Sequence, residues 1–195
     1  MAFTIDVATR AAEFKLPGTD GKDHALSDYS AKKAVVVAFT CNHCPAAIGA
    51  QERIIALQRD YADKGVQVIA INSNEDEGHP DDSFEHMVER AKEKGFPFPY
   101  LRDQSQAVAK AYGAQRTPHF FLLDAERKVV YSGRMDNNPY EEGKQTTNEL
   151  RNALDQLLAG QPVTVAPTDP IGCNVKWWGK DAHWMPKGLA DFTAS

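Results

Sequence analysis

What the chain has little of narrows its chemistry first. Its 195 residues contain no basic run: 22 Lys and Arg stand against 27 Asp and Glu, a net charge of −5, so nucleic acid and anionic membrane surfaces are poor partners. No segment stays apolar for long enough to cross a bilayer. The opening stretch, MAFTIDVATRAAEF, lacks the basic start and apolar core of about 7–15 residues that mark a secretory signal. A cytoplasmic location is therefore expected, with thiols mostly reduced at rest. Cysteine is scarce, three in all, so a disulfide here is expected to be catalytic rather than structural. Repeats and low-complexity segments are absent, and the length suits a single domain over 1–195 with a real core.

Two of the three cysteines stand together in the stretch around which the chain is organised, AVVVAFTCNHCP, residues 34–45. An apolar run ends in Cys41-x-x-Cys44 and an amphipathic, helix-length segment follows, so a buried strand delivers two thiols to a helix N-terminus. The unpaired amides and positive dipole end of a helix stabilise a thiolate and lower its pKa. On this reading Cys41 is the exposed attacking thiol and Cys44, one turn on, closes a disulfide with it. His43, when protonated, adds a second stabilising charge to the Cys41 thiolate, which favours the reduced form and makes the disulfide more oxidising. The alternative is half of a zinc site. That reading lacks its remaining ligands, because only Cys173 is left and His24, His79, His86, His119 and His183 show no H-x3-5-H spacing. Two buried, inert thiols are the blandest alternative.

The rest of the chain supplies a frame. Residues 12–29 alternate around a turn at Asp20-Gly21, a short hairpin within an N-terminal extension over 1–31. Ala47, Ile54 and Tyr61, with Ile48, Ile55 and Ala62 beside them, predict one buried face of a helix over 46–62, and Val66–Asn72 reads as a second buried strand. Asn74–Asp82 holds five carboxylates in nine residues without a calcium-loop pattern, so it reads as a solvated loop. A helix starts at Ser83, with Phe84, Met87, Val88 and Ala91 on one face and Gly95 as terminator. The prolines of FPFPYL demote it to a short or edge strand, and Ser105 caps a short helix through Ala111. His119–Asp124 and Lys128–Gly133 are joined by three residues and must pair antiparallel. After a loop over 134–145, Leu150, Ala153, Leu154, Leu157 and Leu158 mark a last helix from Thr147 or Asn148. The economical fold is α/β: a mixed central sheet flanked by helices.

With RAAEFKLPGTDGKDHALSDY, VVVAFTCNHCP, FPYLRDQSQAVAKAYGAQRTPHFFLLDAERKVVYSGRMD and PIGCNVKWW in hand, the chain resembles the thioredoxin-fold superfamily. Within it the likeness is to the redoxin or AhpC/TSA branch, in the peroxiredoxin-like group related to TlpA/ResA thiol-disulfide oxidoreductases. The resemblance implies a thioredoxin-like fold and a cis peptide bond at Thr117-Pro118, facing the cysteines and presenting the Thr117 backbone to an incoming chain or mixed disulfide. It also meets departures. Thioredoxins place a Trp before the first cysteine and a buried acid six residues upstream of it, where this chain has Thr40 and Val35. ResA-type proteins place a Glu three residues past the second cysteine, where Ala47 stands, so the proton acceptor for Cys44 is unassigned. Aligning a peroxidatic cysteine on Cys44 puts Val37 and Cys41 at the motif's Pro and Thr; for a peroxide-activating arginine, Arg116 and Arg134 are candidates by their nearness to the matching segments alone, and each reads equally as a surface charge.

The C-terminal tail, 160–195, brings Pro162, Pro167 and Pro170 up to GCNVKWW, where Trp177, Trp178 and Trp184 bury against the body or against another subunit. A homodimer is compatible with them. Cys173 reads either as a small buried hydrophobe or as a third redox thiol resolving Cys41 or Cys44. The leading expectation is a thiol-disulfide oxidoreductase that needs no cofactor and no metal, its catalytic residues Cys41, Cys44, His43, Thr117 and Pro118. Its partners would be a disulfide-containing protein or small thiol and a thiol reductant. The alternatives are a thiol-dependent peroxidase acting on peroxide through Cys44 or Cys41 with Cys173, and a non-catalytic metal-binding or interaction module.

Overall fold

A computed structural model describes residues 3–193. At its centre is β3 (Ala34–Phe39), six residues buried on both sides. Alternation of side chains along the strand sends Ala34, Val36 and Ala38 into one apolar cluster and Val35, Val37 and Phe39 into another. A strand covered on both faces must be apolar at every position, which is why the stretch reads as a continuous hydrophobic run. Beside it lie β4 (Val66–Asn72), parallel, and β7 (His119–Leu123), antiparallel. β5 (Tyr100–Arg102) and β8 (Val129–Gly133) complete a mixed five-stranded sheet in the order β5-β4-β3-β7-β8. The short edge strand expected of FPFPYL forms only from Tyr100 onward, beyond both prolines.

One face is covered by α1 (Pro45–Tyr61), α2 (Phe84–Lys94) and α4 (Glu149–Leu158), the other by α3 (Ala107–Tyr112) and the N- and C-terminal segments. The buried face of α1 holds Ala47, Ile54, Ile55 and Tyr61 as expected, together with Ala50 and Leu57; of the expected set only Ile48, 44 % exposed, and Ala62, beyond the helix, fall outside it. On α2 only Met87 is fully buried, and Ser83 caps the helix as expected. At α3 the expected Ser105 accepts from Ala107 N at 3.3 Å, but it does not cap the helix alone. Gln106, in the left-handed region, precedes its first residue, and the Asp103 carboxylate accepts from the N–H groups of Val108 and Ala109.

The N-terminal hairpin pairs β1 (Lys15–Pro17) with β2 (Asp23–Ala25) across the Asp20-Gly21 turn. The tail does not dangle. Trp177 is buried at 2 % exposure against Phe3 and Phe192 within the core of its own chain, while Trp178 and Trp184 are half-buried, Trp184 packing on Phe192. Just before them the tail forms β9 (Cys173–Asn174), antiparallel to β6 (Arg116–Thr117) with Thr117 opposite Cys173. Among the described residues no helix is long and apolar enough to cross a membrane.

Candidate active site

β3 ends at Phe39, and residues 40–44 turn directly into α1, with Pro45 at its first position and Cys44 as its N-cap. Proline suits that position because its missing N–H would have no helical partner there. Facing this turn is the peptide bond Thr117-Pro118, which is cis as the resemblance implied. Thr117 touches both thiols: its Oγ1 is 3.2 Å from Cys41 Sγ, and its carbonyl oxygen is 3.2 Å from Cys44 Sγ, which donates to it when protonated.

The charge in this pair is not where the sequence put it. Cys41 was expected to be exposed and acidic, yet it is only 6 % exposed, and burial pushes its thiol well above the ordinary value. Its hydrogen bond to Cys44 and the nearby negative charge of Asp82 push the same way. Cys44, fully buried, is lowered to about 4. The S–H of Cys41 is the main cause, acting against burial, and the Cys173 thiol and the N–H groups of Ala47 and Cys173 add to it. The last of these is 3.4 Å away. The amides of the helix start therefore stabilise charge on the N-cap sulfur rather than three residues earlier.

His43 is likewise occupied. Its Nδ1 lies 2.5 Å from Asp82 Oδ2, and this bond is the main reason its pKa is raised. Attraction to Cys44, not Cys41, is a further cause, so the supporting charge expected for Cys41 serves Cys44 instead. Asp82 is fully buried, which overturns the solvated-loop reading of 74–82 at its last residue. Its carboxylate accepts from Asn42 N at 2.6 Å, Asn74 Nδ2 at 2.9 Å and Asn72 Nδ2 at 3.2 Å as well as from His43, and these bonds hold it low against the effect of burial. A buried acid thus does bond the cysteine turn although Val35 and Ala47 are apolar, and it comes from the segment between β4 and α2.

Residues 6–154 match the model of the Redoxin family. The chain belongs to that family. As a redoxin it is an oxidoreductase, and its fold is thioredoxin-like. The curated thiol-disulfide oxidoreductase ResA of Geobacillus thermodenitrificans is 30 % identical over 133 residues, 67 % of this chain and 72 % of ResA. A hypothetical protein of Sinorhizobium meliloti 1021 superposes with a TM-score of 0.85 at 42 % identity, covering 91 % of this chain and 97 % of its own. A putative thioredoxin of Neisseria meningitidis gives a TM-score of 0.60 at 26 % identity over 76 % and 89 % of the two chains.

Other expectations for this redoxin meet their geometry here. Arg116 donates to the Gly172 carbonyl oxygen and Arg134 is paired with Glu149, and among the described residues neither bonds Cys41 or Cys44. The guanidinium that does approach the turn belongs to Arg90, 3.2 Å from the Asn42 carbonyl oxygen. Cys173 is not a fully buried hydrophobe: it is partly exposed, and its backbone N–H donates to Cys44 Sγ. For a metal, Cys41, His43 and Asp82 bring three donor atoms within 4.8 Å of one another. However, His43 Nδ1 and Asp82 Oδ2, at 2.5 Å, stand closer than two ligands of one tetrahedral zinc, about 3.4 Å apart. They fit a hydrogen-bonded ion pair better than a zinc ligand set. Asp82 is the residue that sequence reasoning missed. Its only local signal is its place between Pro80 and the capping Ser83.

Proposed function

We propose that this redoxin is a thiol-disulfide oxidoreductase that cycles Cys41 and Cys44 between dithiol and disulfide. The observation that carries the reading is the pair of thiols at the start of α1, each within hydrogen-bond distance of Thr117. Similarity to ResA supports it. In the reduced pair Cys44 bears the negative charge and Cys41 the proton. Cys41, the less buried, attacks one sulfur of a substrate disulfide; its proton passes to Cys44 and the other substrate sulfur leaves as thiolate. Cys44 then attacks Cys41 Sγ in the mixed disulfide and releases the second substrate thiolate, which takes the proton from Cys44. The pair loses two electrons and one proton, and the substrate gains them. Thr117 positions both sulfurs, while Asp82 holds the turn by accepting from Asn42 N and His43.

The substrate class is a disulfide-containing protein or small disulfide, and run in reverse the same steps oxidise a dithiol. A thiol-trapping mass map of protein equilibrated at stepped glutathione potentials tests the cycle. A Cys41–Cys44 bond should appear and disappear reversibly. A pair that stays reduced at every potential would end the proposal.

The acidic Cys44 favours a second reading, a thiol peroxidase. Here the Cys44 thiolate takes an oxygen from hydrogen peroxide to form a sulfenic acid, which condenses with a neighbouring thiol and releases water. Peroxide consumption sustained by dithiothreitol would favour it; trapped disulfide without peroxide turnover would leave the exchange reaction.

A further inference from the structure

Three free thiols share one cluster: Cys173 packs against Cys41 and Cys44, and its backbone N–H donates to Cys44 Sγ at 3.4 Å. Exposure differs within it: Cys44 is fully buried, Cys41 is 6 % exposed, and Cys173 alone is open enough not to count as buried. Cys173 is also fixed in place. Its strand pairs with Arg116–Thr117, Arg116 Nη1 holds the Gly172 carbonyl oxygen at 2.7 Å, and Val175 N donates to Gln115 O at 3.0 Å. Gly172, at φ 154, is required for this approach, because a Cβ there would collide with Thr117 O. The backbone of Thr117, expected to receive an incoming chain, is therefore already paired, and its register partner is a cysteine of the same molecule. Cys173 lies beyond residue 154, where the family match ends.

We propose that Cys173 is a third redox thiol through which the buried Cys41–Cys44 pair exchanges electrons with a thiol reductant in solution. This rests on the disulfide cycle proposed above. Once Cys41–Cys44 has formed, the Cys173 sulfur attacks Cys44 Sγ; the Cys44–Cys173 bond forms, the Cys41–Cys44 bond breaks, and the proton of Cys173 ends on Cys41. Nothing external is consumed, since the step is an isomerisation. A thiolate RS− from the medium then attacks Cys173 Sγ, Cys44 leaves as thiolate, and a second RSH converts the RS–S–Cys173 mixed disulfide to RSSR and free Cys173. The lowered pKa of Cys44 suits it to leave, as the lower-pKa sulfur leaves faster in exchange. Burial and the bond to Cys44 push Cys173 up to about 11, so Cys173 is a thiol rather than a competing charge at rest. The reductant that fits is a small monothiol such as glutathione, because β9 occupies the ledge on which an extended polypeptide would pair.

The test is a time course of oxidised full-length protein mixed with reduced glutathione, quenched in acid and mapped by mass spectrometry, for wild type, Cys173→Ser and Cys173→Ala. Expected are a Cys44–Cys173 disulfide in the oxidised wild type and glutathione on Cys173 during reduction. In both variants a Cys41–Cys44 bond should still form but be reduced roughly tenfold or more slowly. Equal reduction rates in wild type and variants, or glutathione first on Cys41, would overturn the role of Cys173 while leaving the disulfide cycle intact. Failure of Cys41–Cys44 to form in both variants would instead overturn the cycle, and this proposal with it.

Discussion

Cys44→Ser removes the sulfur at the helix N-cap that accepts from Cys173 N and packs against the other two thiols. With the Cys44 pKa near 4 rather than 9, the thiolate at pH 6 amounts to about 99 % of molecules instead of about 0.1 %. Reduced wild-type protein titrated at 240 nm from pH 3 to 9 should therefore show one thiolate already formed by pH 6. The next thiolate should appear only well above 9, since Cys41 and Cys173 are both raised and the pair titrates as a unit. Cys44→Ser should erase the acidic step. Cys41→Ala should keep it but move it upward, because the largest stabilising contact, the Cys41 S–H, is gone. His43→Ala should raise it more modestly. An acidic step that survives in Cys44→Ser and vanishes in Cys41→Ala would refute the reasoning and return the resting charge to Cys41.

Asp82→Asn breaks a buried ion pair and should cost roughly 3–5 kcal/mol in urea unfolding. NMR titration of His43 should show its pKa fall, and an unmoved His43 would mean that the pair is not its partner in solution. His119, fully buried with its pKa depressed from 6.5 to about 3, binds its proton more readily in the unfolded chain. Its contribution is fully present above pH 6.5 and is lost as pH falls toward 3, amounting to about 2 kcal/mol between pH 7.5 and 5. His119→Asn, which keeps an acceptor for the Gln115 N–H, should flatten that part of the stability curve, and parallel curves would count against a neutral buried ring. Gly172→Ala should cost about 1–3 kcal/mol and weaken the β6–β9 pairing, read by urea unfolding and tryptophan fluorescence. Unchanged stability would mean that the tail does not need that approach.

The strands and helices were legible because each carries its own period. β3 and β4 read as buried runs, α4 shows its apolar stripe, and the three-residue link before β8 forces antiparallel pairing. The two thiols were legible from their spacing alone. What was not legible depends on contacts between distant segments. Asp82 lies 38 positions after Cys44 in an acid-rich loop, and nothing local marks it as the buried member among exposed neighbours. Which cysteine takes the charge depends on the hydrogen bonds made to Cys44, among them the N–H of Cys173, which comes from 129 residues away. Sequence placed both thiols at a helix start. It could not say that Cys44 would be the N-cap and Cys41 a donor to it.

One amide joins these distant parts. Asn74 donates through Nδ2 to Asp82 and accepts through Oδ1 from Lys176 N at 2.9 Å, so the carboxylate fixes which way the side chain faces and thereby where the tail can attach. Gln106 and Glu75 grip the same Lys176 carbonyl oxygen. The cysteine turn and the strand that carries Cys173 are then stitched into one cooperative opening unit. In hydrogen exchange, the amides of Asn42 and Lys176 should lose protection together, and weakening either end should loosen the other.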